Sequence, residues 1–382
     1  MVKSSAFVCE ASPIRDTNST SAVTRPRFAL IDLTRFVAAL AVLVYHFTAR
    51  ENAAWGQPVD TVFPALFPIA KYGFLGVEVF FVISGFVILL SAEGRRPAAF
   101  IASRVSRIYP AYWAGVILTS FLLIVLWPAG KDITLAQSLI NLTMLQEVFD
   151  VPHVDGVYWT LWTELRFYVL VFALIMIGLT RNFALAAAVL WPPIAAVFQR
   201  LNSDVVDMIF MPEQAPLFCM GIIIYLLVKQ PRNFVLWATL VVNWIFAVFQ
   251  TNGGTRLGAE ANTDEVLNPI VIAVVLGAGA AMICVFALTR LNRVRVAWMT
   301  TLGLLTYPLY LVHEHWGWWM LSMLRATPDW IGLVLASAGC LALAWLIYVC
   351  VEKPLGPRLR TALNHHLAAL SQAERDSPAG LR

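Results

Sequence analysis

The run FALIDLTRFVAALAVLVYHF, Phe28 to Phe47, constrains the chain more than any other stretch. About 20 mostly apolar residues are enough to cross a bilayer once as a helix. Three polar side chains interrupt this run: Asp32, Arg35 and His46. Arg35 and His46 are eleven residues apart. At about 100° per residue that spacing returns to within about 20° of the same helix face, roughly 16 Å further along the axis. An arginine in hydrocarbon costs about 2.5–3.5 kcal/mol on insertion scales, so it faces protein or water. A snorkelling arginine with an interfacial histidine would satisfy the same residues, and this helix alone does not separate the two readings.

Similar runs recur along the chain. With 59% hydrophobic and 13% charged residues, and a mean hydropathy of +0.73, a soluble domain is excluded. The expected fold is an all-α, polytopic transmembrane helical bundle of about ten spans. The spans are placed at 28–47, 73–91, up to Trp127, 158–179, 183–199, 208–228, 234–250, 268–289, 297–322 and 330–351. Residues 128–157 are too polar to cross, with an amphipathic helix expected around LAQSLINLTMLQ. Residues 251–268 read as the most hydrophilic loop. Residues 1–27 read as a disordered cytoplasmic tail with no cleaved signal, and 358–382 as a second cytoplasmic tail.

With ten spans both termini lie on one side, and the basic residues say which. Nineteen Lys and Arg fall on the side of the termini and six on the other, with Arg35 and Arg166 inside spans. By the positive-inside rule both termini are cytoplasmic. The protein is therefore expected in a cell membrane as a multi-pass protein, the inner membrane if the source is Gram-negative.

That topology sorts the buried polar residues by depth. His46, Glu78, Glu164, Arg166, His313, Glu314 and His315 fall in the outer half. Carboxylates and imidazoles at one depth are costly unless they pair or line a wet cavity. A histidine beside a carboxylate is the arrangement for general-base work. Interfacial residues within an aromatic belt are the other reading, preferred for His315 and Arg166 but not for His46. At the cytoplasmic end, Arg104 and Arg107 share a helix face. They suit either a phosphate clamp or plain anchoring. Cys219, Cys284, Cys340 and Cys350 read as small core residues, and no spacing suggests a metal site or a disulfide framework. Nucleic-acid binding has no support.

These elements together resemble the membrane-bound acyltransferase type 3 family, over about Phe28 to Pro357. Asp32, Arg35 and His46 resemble its D-x-x-R and R-x10-H. Gly76 to Phe86 resembles G-V-[DE]-x-F-F-x-x-S-G-F. Arg104 and Arg107 resemble R-x-x-R, and WTLWTELRFY, Trp159 to Tyr168, resembles W-[ST]-L-x-x-E-x-x-F-Y. LGLLTYPLYLVH, Leu302 to His313, resembles L-G-x-x-[ST]-Y-x-L-Y-L-x-H, and Val351 to Pro354 the closing E-x-P. Six elements in order, each on its expected span, make a specific match. Glu78 departs from the commoner aspartate, and Trp162 stands where a small residue is usual and is expected to narrow the site. An appended extracellular domain is not expected.

The resemblance implies an integral membrane acyltransferase domain over 28–357. It implies transfer of an acyl group, acetyl in many members, from cytoplasmic acyl-coenzyme A to a hydroxyl. The acceptors it implies are chiefly surface polysaccharides, lipopolysaccharide or lipo-oligosaccharides. The implied catalytic residues are His46, as base or acyl carrier, with Glu164 or Glu78 orienting it. Arg35, Arg104, Arg107, Tyr168, His313 and Asp32 are implied in donor or substrate binding. The implied partners are acyl-coenzyme A, the acceptor and the lipid bilayer, with no bound cofactor. A glycan or small-metabolite transporter is the alternative that intramembrane charge also allows. It leaves unexplained a basic pair at one mouth opposite a His/Glu cluster.

Overall fold

A computed structural model describes residues 28–376 apart from 202. The tail expected over 1–27 and the last six residues of the second tail lie outside the described residues, as does Cys9. Among the described residues the structure is helical, with no strand. The long helices are α1 (Ala29–Thr48), α2 (Gly76–Ala92), α3 (Pro97–Phe121), α4 (Trp159–Met176), α5 (Arg181–Gln199) and α6 (Ala215–Lys229). They continue with α7 (Phe234–Gln250), α8 (Pro269–Leu288), α9 (Ala297–Met323), α10 (Asp329–Ile347) and α11 (Lys353–Asp376).

Nine helical stretches among the described residues are long and apolar enough to cross a membrane. The remaining expected span is α9. Its 27 residues reach about 40 Å, but His313, Glu314 and His315 interrupt its apolar sequence. Such a helix is stable in a bilayer only when protein covers its polar face. Here α9 packs between α1 and α10 and also touches α3.

The apolar pattern explains where each helix sits. APLFCMGIIIYLLVK in α6 has no polar face, so it belongs in the centre; α2, α5, α7 and α8 surround it. The Val205–Lys229 stretch is 83% buried, whereas Arg181–Gln199, which includes only α5, is 22% buried and peripheral. The α2–α6 crossing is closest at Gly85 and Gly221. A Cβ on Gly85 would strike the Phe218 carbonyl oxygen, and one on Gly221 would strike that of Val82. Small residues at a crossing let two backbones meet, which is how membrane helices gain packing without a hydrophobic drive.

Two connections differ from simple loops. Residues 251–268 do not form a hydrophilic loop throughout. A π-helical turn, Thr251–Thr255, carries α7 into a helix at Arg256–Thr263. Arg256 holds it by bonding Asn252 O at 3.1 Å and Glu260 at 2.6 Å. These i to i+4 contacts satisfy the polar residues within the helix itself. In the 128–157 segment the amphipathic helix is Leu135–Asn141, opened by a capping box between Thr134 and Gln137. Cys219, Cys284 and Cys340 are buried, but Cys350 is exposed rather than a core residue.

Candidate active site

The first span delivers Arg35 and His46 to the bundle interior because α1 runs between α2 and α9. Three cavities follow its length. The one at its amino-terminal end, about 200 Å³, is lined by Asp32, Arg35 and Arg107 among others. A narrow middle one, about 50 Å³, is lined by Arg35, Phe80, Ser84, Glu164, Tyr307 and Tyr310. The one at the far end, about 310 Å³, is lined by His46, Arg50, Glu78, Trp159, Glu213 and Thr255. Arg35 belongs to the first two walls, and Val77 and Tyr310 to the last two. The three therefore lie in series along α1, neighbours sharing wall residues.

At the far end, His46 Nδ1 lies 2.8 Å from Val42 O. A carbonyl oxygen only accepts, so Nδ1 carries the proton and Nε2 the lone pair. His313 is arranged likewise, with Nδ1 2.9 Å from Tyr310 O. Its Nε2, 3.3 Å from His46 Nδ1, can share that proton. The two imidazoles fix each other's tautomers, leaving His46 Nε2 as a base on the cavity wall, 3.9 Å from Glu314 Oε2. Arg50 donates to Glu314 Oε1 at 2.9 Å. The end of α1 is held by side chains: Trp318 Nε1 donates to His46 O and Trp55 Nε1 to Phe47 O. These satisfy carbonyls that a helix end leaves without partners.

Glu164 does not contact His46. Its Oε1 accepts from Tyr168 at 2.6 Å and from Ser84 at 3.0 Å, in the middle cavity beside Arg35. Glu78 shares the far cavity with His46, but its Oε2 has no hydrogen-bond partner. Glu164 is therefore not placed to orient His46; Glu314 Oε2 lies 3.9 Å from His46 Nε2, while Glu78 lines the same cavity. The reason is position along α1: Glu164 lines the cavity with Arg35, about three helix turns from His46.

The two basic residues of α3 also part company. Arg107 faces the first cavity and forms an ion pair with Glu352. Arg104 lies instead over the rings of Phe100 and Tyr168, at 6.0 and 5.8 Å. Arg166 and His315 both have protein partners. Arg166 donates to Met208 O and Thr163 Oγ1, both at 2.9 Å, and lies over Trp162. His315 is buried, 3.3 Å from Asp155.

The residues that sequence reasoning missed are Asp155, Arg50 and Glu352. Asp155 arrives through a well-tied loop. Buried Asn141 binds Pro152 O and Val154 N, and Lys131 binds His153 O. Burial alone would push the Asp155 carboxyl up, but His315 beside it outweighs burial and holds it below the usual carboxylate range.

A family model described as an acyltransferase domain matches residues 28–349. Comparison with curated proteins and with solved structures gives no match. The matched region contains α1 to α10 entire, and with them the residues that line the cavities. The chain belongs to the acyltransferase type 3 family of membrane proteins.

Proposed function

We propose that the protein is an O-acyltransferase moving an acyl group, acetyl in the simplest case, from cytoplasmic acyl-coenzyme A to a hydroxyl of a carbohydrate acceptor on the opposite side. The observation that carries this reading is the series of three cavities, basic at one end and ending on a histidine lone pair at the other. Arg107 and Arg35 would meet the phosphates of the donor. The middle cavity, narrow and aromatic, suits an unbranched arm and excludes a bulky headgroup. The far cavity is wide enough for a sugar, with Trp159 and Tyr45 as stacking surfaces.

In the reaction, His46 Nε2 takes the proton of the acceptor hydroxyl as its oxygen attacks the thioester carbonyl. The carbon–sulfur bond breaks, and the proton passes from His46 to the leaving thiolate. The narrow middle cavity fits two substrates meeting from opposite sides better than a transporter, which would have to pass a whole solute through it.

The test is transfer by purified protein in liposomes, followed as free thiol released from acetyl-coenzyme A when a surface glycan is supplied. Thiol release that does not depend on the acceptor, or glycan acetylation without acetyl-coenzyme A, would overturn the reading. In the same assay Arg107→Ala is expected to raise the apparent donor KM by about ten- to a hundred-fold. That is the loss of one charge-assisted phosphate contact of about 1.5–3 kcal/mol. Arg104→Ala is expected to matter less, since that guanidinium packs on aromatic rings. An unchanged donor KM in both variants removes the clamp.

Orientation has its own test. Ten spans with cytoplasmic termini place 251–268 outside and 290–295 inside. In a protein lacking native cysteines, an impermeant thiol reagent is expected to label Arg256→Cys from outside and not Arg293→Cys. The reverse pattern would invert the topology.

A further inference from the structure

We propose that Asp155, Glu314 and His315 form a binding site for a divalent cation of the zinc class, joining the loop before α4 to α9. The three side chains are 0%, 1% and 4% exposed, and one donor atom from each lies within 4.8 Å of the others.

Their hydrogen bonding is what sets this cluster apart from an ordinary buried charge group. Each carboxylate is anchored through one oxygen only. Asp155 Oδ1 accepts from Val157 N at 3.3 Å, and Glu314 Oε1 from Arg50 at 2.9 Å. The second oxygens, Asp155 Oδ2 and Glu314 Oε2, and His315 Nδ1 are buried and make no aligned hydrogen bond; Asp155 Oδ2 faces His315 Nδ1, and Glu314 Oε2 lies 3.9 Å from His46 Nε2. Ligating carboxylates are commonly steadied in this way through the oxygen that does not face the metal.

Asp155 Oδ2 and His315 Nδ1 are 3.3 Å apart. That is about the edge of a tetrahedron whose ligands lie about 2.0–2.1 Å from its centre. Gly156 is also accounted for, because a Cβ there would come 2.7 Å from both Glu314 oxygens. A bare residue after Asp155 lets the second carboxylate reach the first.

The charge balance points the same way. Metal binding requires the neutral imidazole, and once His315 gives up its proton the two carboxylates face one guanidinium, leaving one negative charge for the ion to balance. An unpaired charge there is costly, and a dication offsets it. One imidazole nitrogen and two carboxylate oxygens favour zinc-like ions over calcium or magnesium, which prefer all-oxygen sites. A proton on His315 would also balance the charge, leaving a plain Asp155–His315 ion pair, and that is the alternative the experiment must separate.

The full chain would be purified in detergent through a tag free of histidine, stripped with a chelator and dialysed. It would then be titrated with zinc chloride by calorimetry, with bound metal counted by mass spectrometry. The expected result is one zinc per chain in the wild type, with affinity reduced at least about tenfold in His315→Ala and in Asp155→Asn. His365→Ala/His366→Ala, on the exposed part of α11, is expected to bind as wild type does. No stoichiometric zinc in the wild type would overturn the site and leave the ion pair. Equal binding by folded His315→Ala, or loss in the α11 variant, would place the ion elsewhere and overturn it too. Should the single variants fail to fold, the wild-type stoichiometry still decides. Because the readout is metal content, it stands or falls apart from acyl transfer.

Discussion

Replacing His46 by alanine is expected to abolish acyl transfer while leaving expression and insertion near normal. The loss of a positioned general base costs about 10²–10⁴-fold in rate. Among the described residues, no second imidazole lines that cavity. His313 Nε2 is turned toward His46 Nδ1, not into the far cavity, and Arg50 is paired with Glu314. For the fold the change is small. His46 Nδ1 bonds a carbonyl within its own helix, and the neighbours it leaves are His313, Glu314 and the rings of Tyr45 and Trp318. A lost hydrogen bond of this kind is worth about 1 kcal/mol. The decisive measurement is the initial rate of acceptor-dependent thiol release per mole of folded protein. A rate near wild type would remove His46 from the mechanism and leave His313 as the next base to test.

The largest expected effect on stability is at Gly221. Gly221→Val would push a branched side chain into the Val82 carbonyl oxygen and to within 2.5 Å of Phe86 N. Overpacking typically costs about 1–3 kcal/mol when side chains can yield. Here the obstacle is backbone, and α6 is enclosed on all sides, so it cannot move away from α2. Sliding it would also disturb Phe218, which stacks on Phe167 at 4.1 Å and meets Phe81 at 5.1 Å. The variant is therefore expected to give little monodisperse protein, and what is recovered should melt well below wild type. Gly253→Ala is the control, since a Cβ there meets nothing within 4 Å. Wild-type melting of Gly221→Val would mean that the two helices do not cross as described.

Glycines such as these illustrate what a sequence shows and what it hides. GFLGVEVFFVISGFVILLS reads at once as a span, and its glycines stand out. Nothing in the string says that Gly85 meets Phe218 and Gly221, because the partner helix lies well over a hundred residues away. The same holds for polar residues. Glu164 and His46 look like partners when ordered by depth alone, yet Glu164 lines the cavity beside Arg35, about three helix turns from His46 along α1.

The membrane class, the helix positions and the family were determined by the sequence itself. Their signals are local: runs of about 20 apolar residues, charge in the turns and motifs within one span. Such signals survive without tertiary contacts, because in lipid each span satisfies its own backbone hydrogen bonds. Tertiary structure alone decided which polar groups meet. His46 and His313 are 267 residues apart, Arg50 and Glu314 264, and Arg107 and Glu352 245. Helix rotation and height set those pairings, and both follow from side-chain packing between spans. That is also why Asp155, on a polar loop, looked like solvent-facing sequence. Asn141 and Lys131 tie that loop together, Tyr158 and Tyr310 bond it to α9, and there Asp155 comes within reach of His315.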